Sequence, residues 1–242
     1  MNKKWTKKEI DLLLRYRPLD PSLKKTGYKA LVPLFPDRTQ DALRFKWWEL
    51  NNEYKLENAM ESERIGVIDI ETTDLKADVG FMLGWAMYYP QEGKTVSAYI
   101  TKKEMFDYKF DKRICKKLLE ELKNVDVLIT YFGTRFDIPF SRTRCLINGV
   151  GFPRYAEIRH IDCYYFARGK VATRRKSLGV IAEALGLDAQ KTHESISVWN
   201  VAKYGKPNAL KKIRNYNIND VIVTWDVYNE LKKYGKYVPK SI

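Results

Sequence analysis

Asp69 and Glu71 stand two residues apart in the run R-I-G-V-I-D-I-E-T-T-D-L, Arg64 to Leu75. The β-branched residues before them read as a short buried strand, which the threonines and Asp74 end. Alternate residues of a strand share a face, so the two carboxylates project side by side from an apolar element. Such a pair is costly to bury unless positive charge sits between them, and a divalent metal ion is the usual answer. The plain alternative is a strand whose last residues emerge into solvent. Asp137 follows a later strand in F-G-T-R-F-D-I-P-F, Phe132 to Phe140, where a helix begins. An acid there also serves as a helix cap or dipole partner. Tyr216 and Asp220 are four apart on a C-terminal helix and share a face. Taken alone they are an amphipathic tyrosine and a surface acid.

These residues need a scaffold, and the chain supplies alternating elements. Phe81 to Tyr89 and Thr95 to Ile100 read as two further strands joined through the turn Pro90–Gly93, an antiparallel meander with the first strand. A helix from about Asp111 to Lys123 places Ile114, Leu118, Leu119 and Leu122 on one face, and Val125 to Tyr131 is a fourth strand. A strand after a helix invites a parallel addition, so the class is α/β with a mixed sheet flanked by helices. Tyr155 to Asp162 reads as a fifth strand, Leu178 to Leu187 as a helix, Glu194 to Lys203 as another, and Asn208 to Tyr234 as a long last one. The basic residues Arg168, Lys170, Arg174, Arg175 and Lys176 either track a phosphate backbone or form a solvated loop.

The N-terminal fifty residues read as three short helices. Thr6 with Glu9 forms a capping box, a second helix spans about Gly27 to Leu34 with Pro33 shortening its end, and Thr39 caps a third that reaches about Asn51. The polar, acid-rich segment that follows either extends that helix or links two domains. The boundary falls near Glu57 to Glu63.

The 242 residues suffice for one moderate domain and a small one, and 45% hydrophobic with 31% charged residues describes a globular chain. A formal charge of +14 favours a polyanionic partner, nucleic acid first and an anionic membrane surface second. No apolar run approaches the roughly 20 residues of a membrane span, and the first residues lack a signal peptide's apolar core. Cys115, Cys145 and Cys163 match no zinc or disulfide pattern. An intracellular, cytoplasmic setting is expected, nucleoid-associated in a bacterium or nuclear in a eukaryote.

Two resemblances extend this reading. The segments W-T-K-K-E-I-D-L-L, Trp5 to Leu13, and F-P-D-R-T-Q-D-A-L-R-F-K-W, Phe35 to Trp47, resemble Myb/SANT-like helix-turn-helix domains over residues 3–52. That likeness implies a core of Trp5, Leu43 and Trp47 and a recognition helix offering Arg44, Lys46 and Trp48 to DNA, with Arg38 near a phosphate. From Gly66 to Leu231 the motifs V-I-D-I-E-T-T, F-D-I-P-F, H-I-D and Y-N-I-N-D-V resemble the DEDD superfamily of RNase H-like 3′–5′ exonucleases, tyrosine subtype. The resemblance implies that Asp69, Glu71, Asp137 and Asp220 hold two divalent ions, Mg²⁺ or Mn²⁺, while Tyr216 orients the attacking water. The histidine subtype has a histidine where this chain has Asn215, and His160 and His193 lie elsewhere. The pattern breaks at Phe132, where relatives often carry asparagine in an F-N-G-type turn. Asp162, in H-I-D, is either a supporting residue or a strand-end acid.

The expected organisation is a helix-turn-helix domain at 1–57, a linker at 58–63 and an RNase H-like exonuclease domain at 64–242. Its expected activity is release of nucleoside 5′-monophosphates from DNA 3′ ends. A replication or repair polymerase is a candidate partner and a membrane is not. A catalytically silent DNA-binding adaptor, a structure-directed endonuclease and an RNase are the alternatives, and the full acid set with Tyr216 argues against the silent one.

Overall fold

The computed structural model describes residues 4–20, 22–106, 110–187, 195–235 and 240–242, with only the backbone for 52–62. The chain divides into two compact units, Met1–Glu63 and Arg64–Ile242.

The first unit carries α1 (Lys7–Tyr16), α2 (Tyr28–Leu31) and α3 (Gln40–Ser62). The capping box forms as the sequence predicts: Thr6 Oγ1 accepts from the Glu9 amide, and Glu9 Oε2 accepts from the Thr6 amide at 2.7 Å. Pro33 follows α2 in a 3₁₀ turn, Val32–Leu34. Leu13, Leu31, Phe35 and Leu43 form the core, with Trp5 and Trp47 packed against it. The helix expected to stop near Asn51 continues to Ser62, so residues 58–62 of the expected linker lie within it.

In the second unit the strands β1 (Ile65–Thr72), β2 (Met82–Tyr89) and β3 (Lys94–Tyr99) form the predicted meander. The chain then passes through α4 (Lys102–Phe106) and α5 (Lys112–Leu122) to β4 (Val127–Thr130), which pairs parallel to β1. Helix α6 (Asp137–Ile147) leads to β5 (Arg159–Asp162), parallel to β4. Next come α7 (Cys163–Lys170), α8 (Leu178–Ala184), α9 (Ile196–Ala202) and α10 (Pro207–Leu231). The last strand, β6 (Lys240–Ser241), runs antiparallel to β5. Among the described residues the sheet has six strands in the order β3-β2-β1-β4-β5-β6.

Several boundaries differ from the sequence reading. The fifth strand starts at Arg159 rather than Tyr155, because Ala156 takes a left-handed φ of 71° that no ladder accommodates. Arg168 and Lys170 belong to the last turn of α7, which polarity alone disguises as loop. Glu194 and His193 lie outside the described residues.

Period-two alternation divides β1 between two layers. Ile68 and Ile70 join the core formed with Ile114, Leu118 and Leu122 of α5 and Ile138 and Phe140 of α6. Asp69 and Glu71 point to the other face, where α9 and α10 pack: Ala202, Ala209 and Ile213 cluster with Leu83 and Ile100. The apolar layer is pinned by an internal ion pair. Arg144 donates to both oxygens of fully buried Asp111, at 2.7 and 2.9 Å, and Asp111 also accepts from Asn148 and the Met82 amide. Removing one partner strands a buried charge, so Arg144→Ala is expected to cost about 3–5 kcal/mol of unfolding free energy in urea titrations. A loss below about 1 kcal/mol would contradict this account.

Candidate active site

The acids gather at the C-terminal ends of the parallel strands. Asp69 is half-buried and Glu71 buried on β1, and each is held from α9 or α10. Asn217 Nδ2 donates to Asp69 Oδ2 at 2.5 Å, and Trp199 Nε1 donates to Glu71 Oε2 at 2.7 Å. Asp137, buried at the start of α6, accepts the Ile70 amide at 3.1 Å, which ties it to the residue between the other two acids. Tyr216 and Asp220, one turn apart on α10, hydrogen-bond through their side chains. The Trp199 ring packs edge-on to Tyr216, with centroids 5.4 Å apart.

The electrostatics follow from this crowding. Burial raises the Asp69 carboxyl well above its ordinary range, and Asp137, Glu71 and Asp220 push it the same way. Burial likewise raises Glu71 to about 8, with Asp220 and Asp137 adding to the rise and the Trp199 bond opposing it. Asp137 rises to about 7, again through burial, against the pull of backbone amides. The Tyr216 hydroxyl is pushed up by burial and by Asp220, so it remains a proton donor at neutral pH.

Four residues missed in the sequence, Asn217, Tyr99, Gly84 and Trp199, complete this frame. Asn217 donates to Asp69 and accepts from the Tyr99 hydroxyl at 2.6 Å, so Tyr99 fixes which way the amide points. Gly84, between Glu71 and Tyr99 in the register, permits this crossing, since a Cβ there would overlap the Tyr99 ring. An asparagine three residues before Asp220, on the same side of the helix, was the available signal for Asn217. Trp199 and Tyr99 had none, because both act across long stretches of chain.

The turn after β4 also resolves. Asp162 is fully buried and accepts amides from Phe132 at 2.8 Å, Thr134 at 2.9 Å and Tyr164 at 3.0 Å. It organises the turn and caps α7. Thr130 Oγ1 accepts the Gly133 amide and bonds His160 Nε2 at 2.8 Å, and a Cβ on Gly133 would collide with Thr130. Burial lowers His160 to about 4, leaving it neutral. Phe132 itself has a φ of 69°, a left-handed conformation that asparagine tolerates far better than phenylalanine.

The basic residues separate into used and unused cations. In the first unit, Arg38 was expected near a phosphate, but its guanidinium is committed internally. It pairs with Glu9 at 2.8 Å, donates to the Lys4 carbonyl and lies over the Trp5 ring. On α3, exposed Arg44 pairs with Asp41 at 3.2 Å, Lys46 bonds Glu49 at 3.1 Å and Trp48 is exposed. In the second unit Lys176 donates to the Thr173 carbonyl at 2.6 Å and to its hydroxyl, whereas Arg174 and Arg175 are exposed.

The RNase_H_2 family model, of the RNase_H superfamily, matches residues 67–232. The chain belongs to this superfamily. An uncharacterized protein of Bacillus subtilis (strain 168), YprB, is 28% identical over 175 residues, covering 68% of this chain. The chain accounts for 41% of that relative's length. A family B DNA polymerase from the hyperthermophilic archaeon Pyrobaculum calidifontis matches in structure with a TM-score of 0.59 at 18% identity. That match covers 71% of this chain and 25% of the polymerase, and the likeness is one of fold.

RNase H-like nucleases generally use divalent metals, and the donor set fits. Carboxylate oxygens are the hard ligands such ions take, and Asp69 is destabilised as an anion by three neighbouring acids. Among the described residues no three His, Cys, Asp or Glu side chains already converge as a ligand group. Asn217, Trp199 and the Ile70 amide each hold one oxygen of Asp69, Glu71 and Asp137 instead.

The pH consequence has a definite sign. Glu71 and Asp137 have folded-state values raised above their ordinary 4.5 and 3.8, so protonation favours the fold. That contribution is complete below about pH 4 and is lost as pH rises through about 7 to 8. In EDTA the melting temperature is therefore expected to be lower at pH 8.5 than at pH 5.5. Mg²⁺ or Mn²⁺ should raise it more at pH 8.5, where the ligands are ionised. A melting temperature indifferent to both ions at pH 8.5 would count against a metal site.

Proposed function

We propose that the second unit is a 3′–5′ exonuclease that hydrolyses DNA phosphodiester bonds and releases nucleoside 5′-monophosphates. The observation carrying this reading is the gathering of Asp69, Glu71 and Asp137, with Asp220 bonded to Tyr216, at one end of the parallel strands. Asp69, Glu71, Asp137 and Asp220 are the residues that would hold two divalent ions, Mg²⁺ or Mn²⁺. When bound, these supply positive charge to the phosphate oxygens and acidify water. Direction along the strand is taken from the motif resemblance.

The chain's own residues divide the remaining work. Tyr216 stays protonated, so its hydroxyl orients a water by hydrogen bonding rather than acting as a base. Asp220 accepts the Tyr216 hydrogen bond and Trp199 braces the ring. Asn217, oriented by Tyr99, holds Asp69 in the position from which it would take a metal ion.

The first unit is read as a Myb/SANT-like DNA tether. Arg44, Lys46 and Trp48 on α3 are its contact residues, and Arg174 and Arg175 serve the catalytic unit. A weak tether raises the local concentration of DNA ends. Arg38 is left out because Glu9 and Trp5 already occupy it.

With 5′-labelled single-stranded DNA and Mg²⁺ or Mn²⁺, the wild type should give a ladder shortening from the 3′ end. Asp69→Ala should abolish it, and Tyr216→Phe should lower kcat by about 10²-fold through a misplaced water. RNA and circular DNA run in parallel test the RNase and endonuclease readings, and no metal-dependent cleavage of any substrate would refute the enzyme. For the tether, replacing Arg44 and Lys46 together by alanine should weaken DNA binding and flatten the log K against log salt slope by about two. An unchanged slope would remove these residues from the interface.

A further inference from the structure

The most conspicuous residue that the hydrolytic scheme leaves unused is Phe132. The residue is 40% exposed while its backbone sits at φ 69°. A bulky residue in that region is strained, and such strain persists only where surroundings impose it. Here they do. Asp162 takes the amides on either side of Gly133, and the Tyr164 ring meets Phe132 at 4.8 Å with an interplanar angle of 71°. The fold thus holds a large apolar ring towards water at a fixed orientation, where a small polar residue would relieve the strain.

Its position explains the arrangement. β1 and β4 run parallel with Val67 opposite Ile129, so Asp69 lies two residues beyond one partner and Phe132 three beyond the other. Both stand at the same end of neighbouring strands, and Asp137 follows five residues later. Cations gather at this turn. Exposed Arg135 bonds the Tyr165 hydroxyl at 3.3 Å, and the Tyr131 hydroxyl donates to the Lys176 carbonyl at 2.5 Å. The second bond draws the loop bearing Arg174 and Arg175 to the end of β4.

A rigid exposed ring, with Arg135 in its own turn and Arg174 and Arg175 on the loop tied to the end of β4, matches unpaired nucleic acid, in which each base offers a π-face and each linkage a negative charge. We propose that Phe132 is a stacking platform for a base of a single strand whose 3′-terminal phosphodiester reaches the acids, with Arg174 and Arg175 on its phosphates. This rests on the exonuclease reading and deepens it. It makes Phe132 a specificity-determining residue that selects single-stranded over duplex ends, because a paired base has both faces covered by its neighbours.

The test is fluorescence anisotropy with the full chain carrying Asp69→Asn, so that substrate survives. Oligonucleotides bear either normal bases or one abasic residue at the last, second-last or third-last position. On the Phe132 background, loss of the stacked base should weaken binding by about fivefold or more at one of these positions. Phe132→Asn tolerates the left-handed backbone and lacks the ring. It should bind the normal oligonucleotide as weakly as the abasic one, melt no lower than its parent, and regain the contrast as Phe132→Trp. If Phe132→Asn keeps the full contrast between base and abasic, or if Phe132 shows none at any position, the platform is overturned. Cleavage by the otherwise wild-type chain is scored separately. A ladder without the contrast refutes stacking alone, and the contrast without any cleavage refutes the exonuclease reading alone.

Discussion

Crowding of like charge at the ends of β1 and its neighbours is the constraint around which the second unit is arranged. Asp69 and Glu71 share the face of a strand whose opposite face is core, so neither can turn away without pulling Ile68 or Ile70 from its packing. Asp137 is fastened to the amide between them. Asp137, Glu71 and Asp220 raise the cost of ionising Asp69, Asp220 and Asp137 raise that of Glu71, and the fold accepts this instability. Functional sites commonly concentrate such perturbation, because the same crowding that disfavours anions favours a cation among them.

Hydrogen bonds keep the crowded acids in place. Tyr99, Asn217 and Asp69 form one chain of donors and acceptors; Trp199 and Glu71 form another. Both come from helices on the open face of β1, so α9 and α10 serve as covers and as braces. The glycine at position 84 lets one brace cross the sheet. On the other side of β1, the ion pair of Asp111 with Arg144 does comparable work between α5, β2 and α6.

The turn at Phe132 shows how one buried acid can sustain local strain. Asp162 carries no role in the expected ligand set, yet it accepts three amides and thereby sets the path of residues 132–134. Thr130 and neutral His160 close the turn from within the sheet. Phenylalanine at position 132 is accommodated by this frame, and the consequence is an exposed aromatic ring.

Local periodicity made much of this protein legible from its residues. Two-residue alternation placed Asp69 and Glu71 on one face, four-residue spacing placed Tyr216 beside Asp220, and the Thr6–Glu9 box marked α1. Such features depend on covalent geometry within a single element, which the sequence determines by itself. The partners of those side chains did not yield to the same reasoning. Asn217 meets Asp69 across 148 residues and Trp199 meets Glu71 across 128, while Arg38 turned inward to Glu9 and Trp5. Which groups meet at such separations is decided only when the packed layers close the intervening chain, so the braces of the site belonged to the tertiary structure.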